Sequence, residues 1–277
     1  MLEHLESSID IVNDPNAVSS IDELPLWSAP FGMLLLDRVK LKPAITALDI
    51  GFGMGFPLIE LSQRLGHSST VYGIDLWKTA IERARLKIKT FHINNVRLVE
   101  GDASSTEFED SFFDLIVSNV GINNFENPRA VLDECYRVAK PGAQLLFTTN
   151  PKGHMKEFYQ VYEETLSELN MAGLLRELQG HIDHRLTPGI IQEMLEKSGF
   201  KVVDSILNHF YLRYASGTAF LNHYFIKIGF LDAWKSLIPE EEREKFFTRL
   251  EEKLNFIAKK EGELKLTIPC VCIEAVK

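Results

Sequence analysis

Three glycines on alternate positions, Gly51, Gly53 and Gly55, follow Asp49 in the stretch ALDIGFGMG. Lacking a Cβ, such residues let the backbone turn sharply and come into van der Waals contact with a bound molecule. A helix that starts just beyond them points free N–H groups at the same place and favours a carboxylate or phosphate. The spacing is G-x-G-x-G with an acid two residues ahead of it, whereas a dinucleotide loop reads G-x-G-x-x-G. Alone, the loop is weak evidence, since a packing turn is the alternative. Two further acids change that balance. Asp75 ends YGIDLW, where a carboxylate can accept hydrogen bonds from both hydroxyls of a ribose, and Leu76 and Trp77 behind it offer cover for an adenine face. Asp102 in VEGDAS can accept from an adenine amino group while the Ala103 backbone meets the ring nitrogen. Taken singly, Asp75 reads as a helix cap and Asp102 as a turn acid. Three acids at three successive strand ends, in register with one glycine loop, read as a nucleoside site.

Placing those acids requires a parallel sheet. From Ala44 onward, short β-rich runs alternate with helix-patterned ones, the signature of βαβ units. AITALDIGF, TVYGIDLW, VRLVEGDA and FDLIVSNV are four strands, and their continuous apolar character suits strands covered on both faces. Helices are expected over 56–65, 79–92 and 128–138, the last opened by Pro128. AKPG then turns the chain into a fifth strand, AQLLFTTN. In the second half, residues 154–178 read as one or two helices. TPGIIQEMLEKSGF is a helix capped by Thr187, and KVVDSILNHF and ELKLTIPCVCIEAVK are a sixth and a seventh strand. The stretch between those two strands is far longer than an ordinary connection of a few residues. No repeat or Gly/Ser linker is present, so the expectation is one domain over 1–277 with three appended segments: an N-terminal arm over 1–34, a helical cap over 151–186 and a second cap over 211–262.

Composition narrows the function classes. With 39 acidic against 30 basic side chains the formal charge is −9, which argues against a nucleic-acid partner. Three cysteines, Cys135, Cys270 and Cys272, are too few for a disulfide framework and suit a reducing compartment. The start, MLEHLESSID, is acidic where a secretory signal would be basic and then apolar, and no run approaches the roughly 20 apolar residues of a membrane span. A cytoplasmic protein without a membrane span is expected.

In order along the chain, LDIGFGMG, YGIDLW, EGDAS, FDLIVSNVGINN and YRVAKPGAQLLF resemble the successive motifs of class I S-adenosylmethionine-dependent methyltransferases, over residues 41–150. The resemblance implies an α/β fold: a Rossmann-like, doubly wound sheet of seven strands in the order 3-2-1-4-5-7-6, with an antiparallel last strand and helical lid insertions. It implies S-adenosylmethionine as cofactor, with Asp49 and the Gly51 and Gly53 backbone at the methionyl end, Asp75 at the ribose, Asp102 at the adenine, and the Asn119 carbonyl at the methionyl amine. Phe52 stands where the family usually has a smaller residue, and is expected to narrow the pocket floor.

Methyl transfer from a sulfonium is an in-line displacement in which the protein aligns the acceptor and excludes water. A base is needed only where the acceptor must lose a proton early. GINNFENP resembles the corresponding turn of quinone-biosynthesis C-methyltransferases but lacks their arginine, so Asn123 and Asn124 are candidate contacts for a small, largely apolar, aromatic or quinone-like acceptor. Candidate bases are His154 and the pair His181 and His184 in GHIDH. That pair has the i, i+3 spacing of metal ligands, but nothing completes a set, and no metal is expected. Trp27 in the arm, and Tyr211, Tyr214 and His223 in the aromatic-rich second cap, are further candidates to line the cofactor and acceptor sites, with the second cap closing over the carboxyl edge of the sheet. Most aromatics of that stretch are expected to be packing. A nicotinamide dehydrogenase and a non-catalytic cofactor-binding module are the rival readings, and a homodimer is left open.

Overall fold

A computed structural model describes residues 13–22, 26–183 and 185–277. Seven strands form one sheet: β1 Thr46–Ile50, β2 Thr70–Asp75, β3 Val96–Glu100, β4 Phe113–Asn119, β5 Ala139–Thr149, β6 Lys201–Tyr214 and β7 Leu264–Val276, in the order β3-β2-β1-β4-β5-β7-β6. β1 lies parallel between β2 and β4, with Ala47 opposite both Val71 and Leu115. β3 and β5 continue the parallel set, and β7 runs antiparallel to β5, from Gln144 opposite Val276 to Thr149 opposite Val271. This is the expected Rossmann-like order and reversal.

Alternation along the strands explains the two layers. Leu48, Ile50, Ile116, Leu145, Phe147, Val271 and Ile273 face one side, where the helices Pro128–Val138 and Pro188–Lys197 bury Leu132, Cys135, Ile191 and Leu195. Ala47, Leu115, Val117, Leu146 and Cys272 face the other, against Leu35 and Leu36 of the helix Ser28–Leu36, Leu58 and Leu61 of Leu58–Leu65, and Ile81 and Ala84 of Lys78–Thr90. Both faces are covered, as the unbroken apolar strands required. The Asn127 side chain accepts from Ala130 N–H and that of Thr187 from Ile190 N–H, so both of these helices have a side-chain cap followed by proline.

Two boundaries differ from the sequence expectation. The AKPG segment does not interrupt β5: the strand starts at Ala139, paired with Phe113, and the slip in register between Phe113 and Leu115 absorbs the extra residues around Gly142, whose φ is 79°. β6 runs four residues past Phe210 to Tyr214, along an edge where a strand needs partners on one side only.

Of the described residues, 13–151, 186–208 and 270–277 form a sheet unit, and 152–185 with 209–269 form a second, mainly helical unit. The helical unit has its own aromatic core. Phe158 lies 4.1 Å from Trp234 and 5.4 Å from Phe220, ring centre to ring centre, and Tyr162 lies 4.6 Å from Phe246. These residues come from the helices Lys156–Glu168, Gly217–Asn222, Asp232–Ser236 and Arg243–Glu261, so the two stretches set apart by sequence pack on each other. Among the described residues, no helix is long and apolar enough to cross a membrane.

Candidate cofactor site

The loop after β1 is tied to β2 by its own backbone. Gly51 N–H donates to the Ile74 carbonyl at 2.9 Å and Gly53 N–H to Asp75 Oδ2 at 2.7 Å, while Asp75 Oδ1 accepts from Trp77 N–H at 2.8 Å. Asp75 therefore joins two strand ends before any ligand is considered. The three glycines have φ of 71°, 53° and 102°, the left-handed side that suits glycine. A Cβ on Gly51 would sit at an ordinary contact distance of 3.5 Å from the Gly121 backbone, whereas one on Gly55 would sit 2.8 Å from Ile59 Cδ1, so Gly55 also serves packing. A Cβ on Gly53 would meet nothing within 4 Å, so the backbone there faces open space. Phe52, expected at the pocket floor, is instead buried in the core against β2: a Cβ on Gly73 would be 2.7 Å from its ring.

The acids differ sharply. Asp102 is exposed and its Oδ1 accepts from Ser104 N–H at 2.8 Å; hydrogen bonds from Ser104 hold its carboxyl below the ordinary range. Asp49 has no exposed surface, and neither carboxyl oxygen has a partner at good hydrogen-bonding geometry. Burial pushes its pKa well above the usual carboxylate value, the Asp75 charge adds to that rise, and the Leu58 backbone N–H opposes it in part.

At the end of β4, Asn119 is buried and held from both sides: its amide donates to the Ser28 carbonyl at 3.2 Å and its carbonyl accepts from Thr148 Oγ at 2.7 Å. Val120, in left-handed conformation, and Gly121 follow, and Ser118 Oγ donates to the Ile50 carbonyl at 2.8 Å. Asn123 and Asn124 are exposed, with the Asn123 amide donating to Asn150 Oδ1 at 2.6 Å. Trp27 is half-buried with its ring 5.5 Å from Phe31, Leu76 is exposed and Trp77 half-buried. Sequence reasoning missed Ser28, Gly32 and Thr148. Gly32 lets the helix Ser28–Leu36 reach the strand ends, since a Cβ there would lie 2.1 Å from the Phe56 ring and 3.2 Å from the Asn119 amide nitrogen. A glycine inside an apolar helical run, which costs about 1 kcal/mol against alanine, was the available signal.

A family model described as a methyltransferase domain matches residues 48–147, the segment that carries the loop and all three acids. Residues 48–147 thus carry a methyltransferase domain. A demethylmenaquinone methyltransferase of Geobacillus sp. (strain WCH70) is 31% identical to this chain over 127 residues, 46% of this chain and 54% of that protein. The chain thus spans about half the length of the curated relatives it matches first. Among solved structures, a SAM dependent methyltransferase from Aquifex aeolicus superposes with a TM-score of 0.54 at 22% identity, covering 70% of this chain and 92% of that one. Haemonchus contortus phosphoethanolamine N-methyltransferase 2, in complex with S-adenosyl-L-methionine, gives 0.58 at 19% identity over 95% of this chain and 57% of that one. These two likenesses establish the fold. The residues present fit the cofactor: the Gly53 backbone faces open space, and each Asp75 oxygen, holding one N–H, keeps a lone pair for a hydroxyl.

The remaining candidates that the structure describes lie in the helical unit, and several of them meet around Trp234. His181 Nε2 is 3.1 Å from Tyr159 Oη, and Tyr159 Oη accepts from Trp234 Nε1–H at 3.2 Å. His154 is buried, stacked 5.2 Å from Phe230, which stacks in turn 5.6 Å from Trp234. Tyr214 and His223 have ring centres 5.3 Å apart. Burial pushes the Tyr214 phenol up to about 12 and lowers the His223 imidazole, whose Nδ1 accepts from Phe225 N–H at 3.3 Å. Tyr211 stands apart from that pair, exposed, with Lys265 Nζ 3.7 Å over its ring and its hydroxyl 2.9 Å from His209 Nε2. His184 lies outside the described residues. Elsewhere in the sheet unit, a cleft of about 220 Å³ opens at the amino ends of the strands, beside Ile45, Asp114 and Gln144, and two of its lysines are already paired, Lys40 with Glu274 and Lys140 with Asp114.

Proposed function

We propose that the protein transfers a methyl group from S-adenosylmethionine to a small, largely apolar acceptor of aromatic or quinone-like type. The observation that carries this reading is the Gly53–Asp75 link: it sets an acid with spare lone pairs beside backbone facing open space at the carboxyl edge of a parallel sheet. Asp75 accepts the ribose hydroxyls, Gly51 and Gly53 lie against the methionyl and ribose portions, and Asp102 with Ala103 reads the adenine, with Leu76, Trp77 and Trp27 as apolar cover. Asn119 acts where the methionyl amine lies, its carbonyl turned by the Thr148 hydroxyl. Asp49 and Gly55 support the loop from beneath, as their burial and packing suggest.

When bound, S-adenosylmethionine supplies an electrophilic methyl on a sulfonium. The chain's own part is to orient the acceptor, exclude water and, for an acceptor that must ionise, take up its proton. Asn123, Asn124, Tyr211, Tyr214 and His223 are proposed as acceptor contacts, and His154, His181 and His184 as candidate bases. The quinone-like character rests on the demethylmenaquinone methyltransferases among the relatives and on the GINN turn. The test is transfer of labelled methyl from S-adenosylmethionine to a reduced naphthoquinone bearing a free ring position. Methylated product with release of S-adenosylhomocysteine is expected. Cofactor binding with no transfer to any naphthoquinol or phenol would remove the acceptor class, and no cofactor binding would remove the whole reading.

A further inference from the structure

Two chains of side-chain hydrogen bonds join the end of β5 to the end of β4 and the turn after it. Thr148, opposite Asn119 in register, donates its hydroxyl to the Asn119 carbonyl, and the Asn119 amide donates to the Ser28 carbonyl, so that side chain is satisfied at both atoms. The second chain does not close. Thr149 Oγ donates to Asn123 Oδ1, the Asn123 amide donates to Asn150 Oδ1 at 2.6 Å, and Asn150 Nδ2 has no hydrogen-bond partner among the described residues. Asn150 is 1% exposed, so bulk water does not reach that N–H pair. A buried amide donor left without an acceptor costs free energy that a ligand oxygen would return.

With Thr149 donating to Asn123, turning Asn150 over would set two NH₂ groups against each other, so the end left over is the donor. Each donation along the chain polarises the next amide and strengthens the last one. The place matters as much as the atom. Asn150 stands two residues past Thr148, and Asn123, which holds it, lies in the turn Gly121–Asn124 after β4, so both are at the carboxyl edge of the sheet, beside Asn119. Asn123 is exposed, so the pair lies just under the surface, and entry of a ligand needs side chains at that edge to shift and leaves the strands in place. We propose that Asn150 binds the methyl acceptor by donating an amide N–H to an oxygen of that molecule, a carbonyl, hydroxyl or phenolate. This rests on the methyl-transfer reading above and adds to it a group that fixes the acceptor by its oxygen.

The experiment measures steady-state transfer of labelled methyl from S-adenosylmethionine to the reduced naphthoquinone, or to whichever naphthoquinol or phenol the parent methylates, with calorimetry of S-adenosylhomocysteine on the same proteins. Asn150→Leu should raise the acceptor KM about tenfold or more, change kcat less and leave cofactor affinity within twofold. Asn150→Asp keeps the oxygen that Asn123 holds and loses the donor. Assayed at alkaline pH, where the new carboxyl is ionised, it should show the same rise, and it carries the test if the leucine variant does not fold. Either variant with the parent's KM overturns the proposal while leaving the methyl-transfer reading in place. So does a variant whose cofactor affinity falls as far as its acceptor affinity, which would put the amide on the methyl donor or in the packing. A parent that binds cofactor but methylates no naphthoquinol or phenol removes the acceptor reading and this inference with it.

Discussion

Asp75 at the end of β2 and Tyr162 in the helical unit each satisfy a backbone group, and there the likeness stops. Asp75 is half-exposed and holds two N–H groups through a carboxylate with lone pairs to spare. Tyr162 has no exposed surface, and its hydroxyl is committed to the Trp234 carbonyl at 2.9 Å. The sheet unit thus presents polar groups at strand ends, held by backbone and open to a ligand. The helical unit buries the Tyr162 hydroxyl among rings. The contrast separates a site built on regular elements, whose chemistry can be read from spacing, from a surface whose specificity depends on how helices pack.

The sharpest break would come at Gly53. The Cβ of Gly53→Val would meet no atom within 4 Å, so the expected cost to folding is mainly the strain of a branched residue at φ 53°, about 1–3 kcal/mol. A valine there occupies the open space that the proposal gives to the cofactor, and binding should fall below detection by titration calorimetry while circular dichroism shows a folded protein. Normal binding by this variant would make the loop a packing turn after all. Asp75→Ala comes next, with an expected loss of about 2–4 kcal/mol in cofactor binding from the ribose acceptor and the freed Gly53 N–H. Unchanged affinity would remove Asp75 from the site. Tyr162→Phe tests the other side of the comparison. It should lower stability by about 1 kcal/mol, as one buried neutral hydrogen bond is lost, and leave cofactor affinity within twofold. A large loss of cofactor binding would show that the two units are not energetically separate.

The sheet was legible because its information is local. Unbroken apolar runs, a glycine loop and acids at strand ends are set by sequence neighbours, and β1 to β4 fall where the periodicity put them. What escaped depends on contacts distant in sequence. Phe52 turned into the core because Gly73, opposite Asp49 on β2, leaves room for its ring. Gly32 and Ser28 reach Phe56 and Asn119 from an arm whose place no periodicity encodes. His181 was noticed for its spacing to His184, yet the described partner that gives it a chemical setting is Tyr159, 22 residues away.

The smallest expected effect concerns Asp49, and it probes the boundary between the open edge and the core beneath it. Its carboxyl is raised well above the ordinary value by burial and by Asp75, so the folded protein holds this proton more tightly than the unfolded chain does. The sign follows from linkage. Stability associated with the group is fully present below the unfolded-state value near 3.8, and it is lost progressively as the pH rises from there through the raised folded value. Asp49→Asn removes the titration while keeping the shape. Relative to the parent, this variant should therefore gain in stability as the pH is raised from about 4 toward 8, by urea unfolding at a series of pH values in the absence of ligand. If the two curves stay parallel across that range, the Asp49 carboxyl is not perturbed, and the water it would then require places it on the open side of the loop with Asp75.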